Sequence, residues 1–64
     1  MRFIQELLTR RLNLLHRAQG HRELAERERD PDRVALHEAE VLRLLRRASD
    51  VAAMIDEHTP SLRE

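Results

Sequence analysis

The sequence contains no cysteine, no tryptophan and no tyrosine, and Phe3 is the one phenylalanine among its 64 residues. Without cysteine, a disulfide framework and a thiolate zinc site are both excluded, although these are the usual supports of very small domains. No apolar run approaches the roughly 20 residues that a membrane-spanning helix needs. The first residues contain no hydrophobic stretch followed by a small-residue cleavage site. We therefore expect no transmembrane segment, no secretory signal and a cytoplasmic protein.

Lysine is also absent, so arginine supplies all 12 basic residues, which balance 12 acidic residues. Hydrophobic residues make up 41% of the chain and charged residues 38%. The core of such a small unit rarely contributes more than ~3–5 kcal/mol to stability. A monomer would be marginal, so we expect another molecule to cover apolar surface. The simplest candidate is a second copy of the chain, in a homo-oligomer whose first expected form is a dimer.

Glycine and proline are scarce, and the chain has one clear break, at Asp30-Pro31. Asp30 is suited to cap a helix, because its carboxylate can accept hydrogen bonds from the free N–H groups of the next turn. Pro31 then falls at the first helical position, where its missing N–H costs nothing. The second helix is predicted to span about 31–58, since Pro60 disfavours helical geometry before it. Residues 61–64 are expected to fray.

The first helix is predicted to span about 2–28, where apolar residues recur at helical spacing up to Ala18. Gly20 lies where this pattern weakens. It can end the helix, with a short third helix after it, or it can lie within one continuous helix. We favour the continuous helix, because the residues after Gly20 are polar helix formers.

The second helix carries a seven-residue repeat of apolar residues, with further apolar residues on both flanks. Residues of the two helices face each other when their numbers sum to about 59. The predicted fold is all-α: residues 1–60 form an antiparallel helical hairpin that self-associates into a four-helix bundle or larger helical oligomer. The residues predicted to mediate self-association are Ile4, Leu8, Leu15, Val41, Leu44, Leu45, Val51 and Ile55.

Charge is unevenly distributed, and the hairpin brings six arginines to one level as a basic belt. This belt is either an anion site for phosphate, nucleotide or nucleic acid, or a solvated surface whose charges compensate. Helical positions place the arginines at the same level without bringing them together in one copy. Zero net charge and the lack of aromatic residues argue against nucleic acid. The candidate anion-binding residues are Arg10, Arg11, Arg17, Arg43, Arg46 and Arg47.

Two of the remaining polar features interrupt the apolar stripe of the first helix. The register places Arg22 near Glu38, which predicts an ion pair across the hairpin. Arg11 faces small residues and is either a buried anion ligand or a side chain whose stem covers the edge of the bundle; we favour the second interpretation. Residues 1–18 also have the amphipathic, arginine-rich character of a lipid-surface helix, although their match to the second helix favours a place in the core.

Metal binding and catalysis find little support in the sequence. No histidine follows a glutamate by three residues, and only His21 and His37 can approach each other across the hairpin. We therefore assign no metal ligand, no cofactor and no catalytic residue.

The leading functional hypothesis is a non-enzymatic interaction or regulatory protein that homo-oligomerises and binds a larger protein partner. Adaptors and the accessory proteins of phages and mobile elements have this size and simplicity. The alternative is an oligomeric protein that binds anions, nucleotides or nucleic acid through the arginine belt.

Overall fold

The computed structural model describes residues 2–58, which form two helices, α1 (Arg2–Arg27) and α2 (Pro31–His58). The two helices pack against each other as an antiparallel hairpin, which confirms the predicted all-α fold. The second helix begins at the predicted Pro31 and extends to His58, the last described residue, and the first helix ends one residue earlier than expected. The predicted fraying of residues 61–64 falls outside the described residues.

The connection between the helices is organised by two carboxylates. The backbone N–H of Asp32 donates to Oδ1 of Asp30 over 2.9 Å, and the N–H of Val34 donates to the Asp30 carbonyl over 3.0 Å. These contacts are those of a helix cap, as the sequence predicts. Before it, Oε1 of Glu28 accepts the backbone N–H of Asp30 over 3.2 Å. Because both carboxylates bind backbone groups, the chain reverses direction over three residues.

Gly20 lies inside α1, which continues through it without interruption. Its φ is not positive, so the backbone there is ordinary helix and not the left-handed conformation of a helix end. The favoured interpretation of the sequence, one continuous helix, is therefore the observed one.

The core is a single cluster of seven buried side chains between the two helices. Leu44 lies at its centre and is 0% exposed. The register agrees with the predicted one, since His21 of α1 contacts His37 of α2 and their numbers sum to 58. Among residues 2–58, the buried residues are Leu7, Leu14, Ala18, Val41, Leu44, Ala48 and Val51.

The hairpin is elongated, with extents of 47 × 16 × 15 Å. At the end away from the connection, the rings of Phe3 and His58 make an edge-to-face contact with their centroids 4.9 Å apart. Within residues 2–58, neither helix has a stretch that is both apolar and long enough to cross a membrane.

Candidate functional site: an apolar face and a charged face

The packing of two helices leaves the hairpin with two broad sides of different chemistry. One side, the apolar face, carries Leu8, Leu12 and Leu15 of α1 and Val34, Leu42 and Leu45 of α2. The other side, the charged face, carries Arg2, Glu6, Arg10 and Arg17 of α1 and Glu40, Arg43 and Arg47 of α2. Residues three and four apart lie on one side of a helix, so each face continues along most of the hairpin.

The apolar face is only partly covered by the chain itself. Leu8, Leu12 and Leu42 are 43%, 58% and 60% exposed, whereas Leu15 and Leu45 are half-buried against the core. Near the connection this face opens into a groove of about 470 Å³, whose lining has more apolar than polar surface. A strip of exposed leucine therefore runs beside the core over much of the molecule.

The eight residues predicted to mediate self-association divide between the core and this strip. The packing of α1 against α2 buries three of them inside the chain: Val41, Leu44 and Val51. Four are half-buried at the edge of the core: Ile4, Leu15, Leu45 and Ile55. Leu8 is the exposed member. Self-association stays a prediction, and the residues available for it are those that the chain does not cover.

Sequence reasoning missed Leu12 and Leu42 as candidates for this surface. Both lie outside the seven-residue seam, and a leucine off the seam is an ordinary feature of exposed helix surfaces. The available signal was their spacing, since Leu12 follows Leu8 by four residues and Leu42 precedes Leu45 by three.

Two charged residues lie on opposite walls of the apolar groove. Arg22 comes from α1 and Glu38 from α2, at the level that the register predicts. The expected ion pair between these two described residues does not form. Arg11, also beside the leucines of α1, is exposed and not buried. Arg22 and Glu38 thus line the apolar groove without an ion pair between them, and Glu26 lines it as well.

On the charged face, a second groove of about 640 Å³ follows α1 from Arg2 to Arg17. Arg10, Arg17 and Arg47, three of the six candidate anion-binding residues, line this groove in one copy. Glu6 is the acidic residue in its lining. The other three candidates, Arg11, Arg43 and Arg46, do not line this groove.

Arg43 is engaged by Glu40, one turn earlier on α2. Its Nε donates to Oε2 of Glu40 over 2.9 Å, and Nη2 donates to Oε1. The hydrogen bonds from Arg43 lower the pKa of Glu40, and the nearby charges of His21 and Arg17 add to this effect. The same contacts raise the pKa of Arg43. This guanidinium is therefore less available to a ligand than those in the groove.

His21 and His37 meet across the hairpin, as the register predicts. Their Nδ1 atoms are 3.0 Å apart and both rings are half-buried. One ring must donate and the other accept, so at least one of them is neutral when this contact forms. No group of three or more metal-ligating side chains occurs among residues 2–58.

Comparisons with protein-family models, with curated proteins and with solved structures find no match to this sequence. The function of the chain is therefore inferred from the two faces of the hairpin.

Proposed function

We propose that this chain is a non-enzymatic interaction protein that self-associates through the apolar face, forming a four-helix bundle from two hairpins. The observation that carries this proposal is the strip of leucines beside the core, in which Leu8, Leu12 and Leu42 are roughly half exposed. Burying apolar surface is the main driving force of association, at about 25 cal/mol per Å². A second copy offers an apolar face of the same length and composition.

The surface area of the chain supports a partner of this size. A face of 47 × 16 Å can contribute about 750 Å² per copy, or about 1,500 Å² for a pair. That area lies within the range of stable protein interfaces, about 1,200–2,000 Å².

Charge complementarity favours one arrangement of the two copies. A two-fold axis parallel to the helices places α1 of one copy against α2 of the other. Arg22 of each copy then lies at the level of Glu38 of the second copy, and Leu15 lies at the level of Leu45. Arg22 and Glu38, which form no ion pair with each other within one chain, would be matched twice in the dimer. This self-complementarity is what a two-fold interface requires.

The surface of the described residues supports an interaction role, which includes the binding of a larger protein partner by the assembled bundle. The grooves on their surface are open, and the arginines and glutamates that line them are not accompanied by a nucleophile and base in contact. The bundle would leave both charged faces on its outside, where such a partner could reach them.

Sedimentation equilibrium tests self-association, with an expected molar mass of twice 7.6 kDa. We expect Leu42→Asp to give a monomer, because it places a carboxylate at the centre of the apolar face. The matched control is Leu36→Asp: Leu36 is 70% exposed on the same helix but lies on the charged side, three residues after Arg33 and seven before Arg43. The control should stay dimeric. A monomeric parent chain at micromolar concentration would refute the proposal, as would equal effects of the two variants.

Charge reversal tests the arrangement of the copies. Arg22→Glu and Glu38→Arg should each weaken dimerisation by about tenfold or more, because each places like charges at both contacts. An equimolar mixture of the two variants should recover dimers, since opposite charges then meet between unlike copies. Each variant should keep the helical circular dichroism of the parent. If the mixture dimerises no better than either variant alone, the parallel two-fold arrangement is wrong.

A further inference from the structure

We propose that the arginine groove on the charged face binds a linked chain of phosphates, a ligand class distinct from the protein partners considered above. The groove lies on the side of the hairpin opposite the apolar face, so self-association leaves it open. Each copy therefore holds one complete site, made by Arg10 and Arg17 of α1 and Arg47 of α2. The site does not depend on whether the chain is a monomer or a dimer.

The geometry of α1 spreads positive charge along the groove. Arg10 and Arg17 are two helical turns apart, which separates their Cα atoms by about 10.5 Å along the axis. Arg2 extends the line by two further turns, and Arg47 approaches from the neighbouring helix. An elongated anion fits this distribution better than a single compact one, because it can meet several guanidinium groups at once.

The donors that line the groove are of kinds that bind phosphate. Guanidinium groups present planar pairs of N–H donors that match phosphate oxygens. Thr9 and Asn13 add neutral hydroxyl and amide donors to the same lining. Leu14 contributes an apolar side chain to the lining, while the three arginines themselves are exposed to solvent.

The lining residues are suited to bind the phosphates of a nucleotide but not its base. No aromatic side chain lines this groove, so it offers no ring on which a nucleobase could stack. Inorganic tripolyphosphate and the triphosphate of ATP should therefore bind with similar affinity. Glu6 is the repulsive element in the site, since its carboxylate lies among the arginines.

Isothermal titration calorimetry with inorganic tripolyphosphate, at low salt, tests the proposal. We expect one site per chain, with affinity that falls as salt rises. The double variant Arg10→Gln/Arg17→Gln should bind tripolyphosphate at least about tenfold more weakly than the parent, and Glu6→Gln should bind it more tightly. Arg46→Gln is the matched control, because it removes the same charge beside Arg47 but outside the groove; its affinity should stay within about twofold of the parent.

Three outcomes would overturn the proposal. The first is no heat of binding with millimolar tripolyphosphate at low salt. The second is an equal loss of affinity in Arg46→Gln and in the groove variants, which would indicate attraction to net charge alone. The third is binding of ATP or of a single-stranded oligonucleotide by a parent chain that does not bind tripolyphosphate. Circular dichroism of each variant confirms that the helices are intact, so that a loss of binding reports on the groove itself.

Discussion

Replacing the central core residue, Leu44→Ala, is expected to remove most of the stability of the hairpin. Leu44 is 0% exposed and sits in the core cluster between Leu14 and Ala18 of α1 and its own neighbours on α2. Truncating a fully buried leucine costs about 3–4 kcal/mol, because apolar contacts are lost and a cavity remains. A domain of this size has roughly 3–5 kcal/mol in total. The variant should therefore be largely unfolded at 25 °C, or melt at least ~12 °C lower.

The assay is urea denaturation followed by helical circular dichroism, with all proteins at the same chain concentration. Concentration must be fixed because association adds to apparent stability by mass action. Leu36→Ala is the control: it makes the same chemical change on the same helix at a residue that is 70% exposed. Its free energy of unfolding should change by no more than about 0.5 kcal/mol. If Leu44→Ala costs less than about 1 kcal/mol, or no more than the control, the core assignment is wrong.

Three further predictions concern separate parts of the hairpin. Gly20→Ala should raise the free energy of unfolding by about 1 kcal/mol, because an added Cβ meets nothing within 4 Å; a loss of stability would contradict a continuous α1. His21→Ala should lower the free energy of unfolding by about 1 kcal/mol, because it removes the hydrogen bond between the two rings; urea denaturation at equal chain concentration measures this, and an unchanged value would contradict the contact. An NMR titration should give Glu40 a pKa below its ordinary value of 4.5, and Arg43→Gln should raise that pKa. Because the pKa is lowered in the folded state, the ionised carboxylate stabilises the fold above pH 4.5, and this contribution is lost as the pH falls through the folded-state pKa.

Local chemistry is what made the fold predictable. Asp30 and Pro31 mark a helix start by hydrogen-bond capacity and ring geometry, which act within one turn of the chain. The end of α1 was predicted to within one residue, and the backbone N–H of Glu28 still donates to the carbonyl of Leu24 over 3.0 Å. A difference of one residue is within the range by which definitions of a helix end differ.

The division of the leucines between core and surface was harder to predict. Leu44 and Leu45 are adjacent and equally apolar, and each is followed along α2 by further apolar residues at helical spacing. A small rotation of the helix about its axis decides which of the two faces α1, and that rotation depends on packing along the whole hairpin. The structure places Leu44 inside and leaves Leu45 half-buried at the edge. Residue type and spacing therefore do not predict which of the two leucines is buried against α1.

The arginine groove was missed for a related reason. Arg10 and Arg17 are seven residues apart and therefore share one side of α1, but helical positions taken for each helix separately do not show that Arg47 of α2 borders the same groove. Arginine side chains are long, so guanidinium groups on two neighbouring helices can reach one groove from different directions. The level of these residues was predicted correctly, because it follows from the register of the hairpin. Their meeting depends on side-chain reach, which a helical wheel does not represent.

The two proposals together constrain how binding and assembly relate. If hairpins join through the apolar face, the two arginine grooves lie on opposite outer sides of the bundle and share no residue. Coupling between two sites requires that one ligand change the state that the other binds, and any such effect is reciprocal. Nothing in this arrangement gives tripolyphosphate a differential contact with the monomer and the dimer. Its affinity should therefore be independent of chain concentration, and its presence should leave the dimerisation constant unchanged. A ligand that promotes dimerisation would instead place an arginine groove at the interface, and the assignment of the apolar face would then have to be reversed.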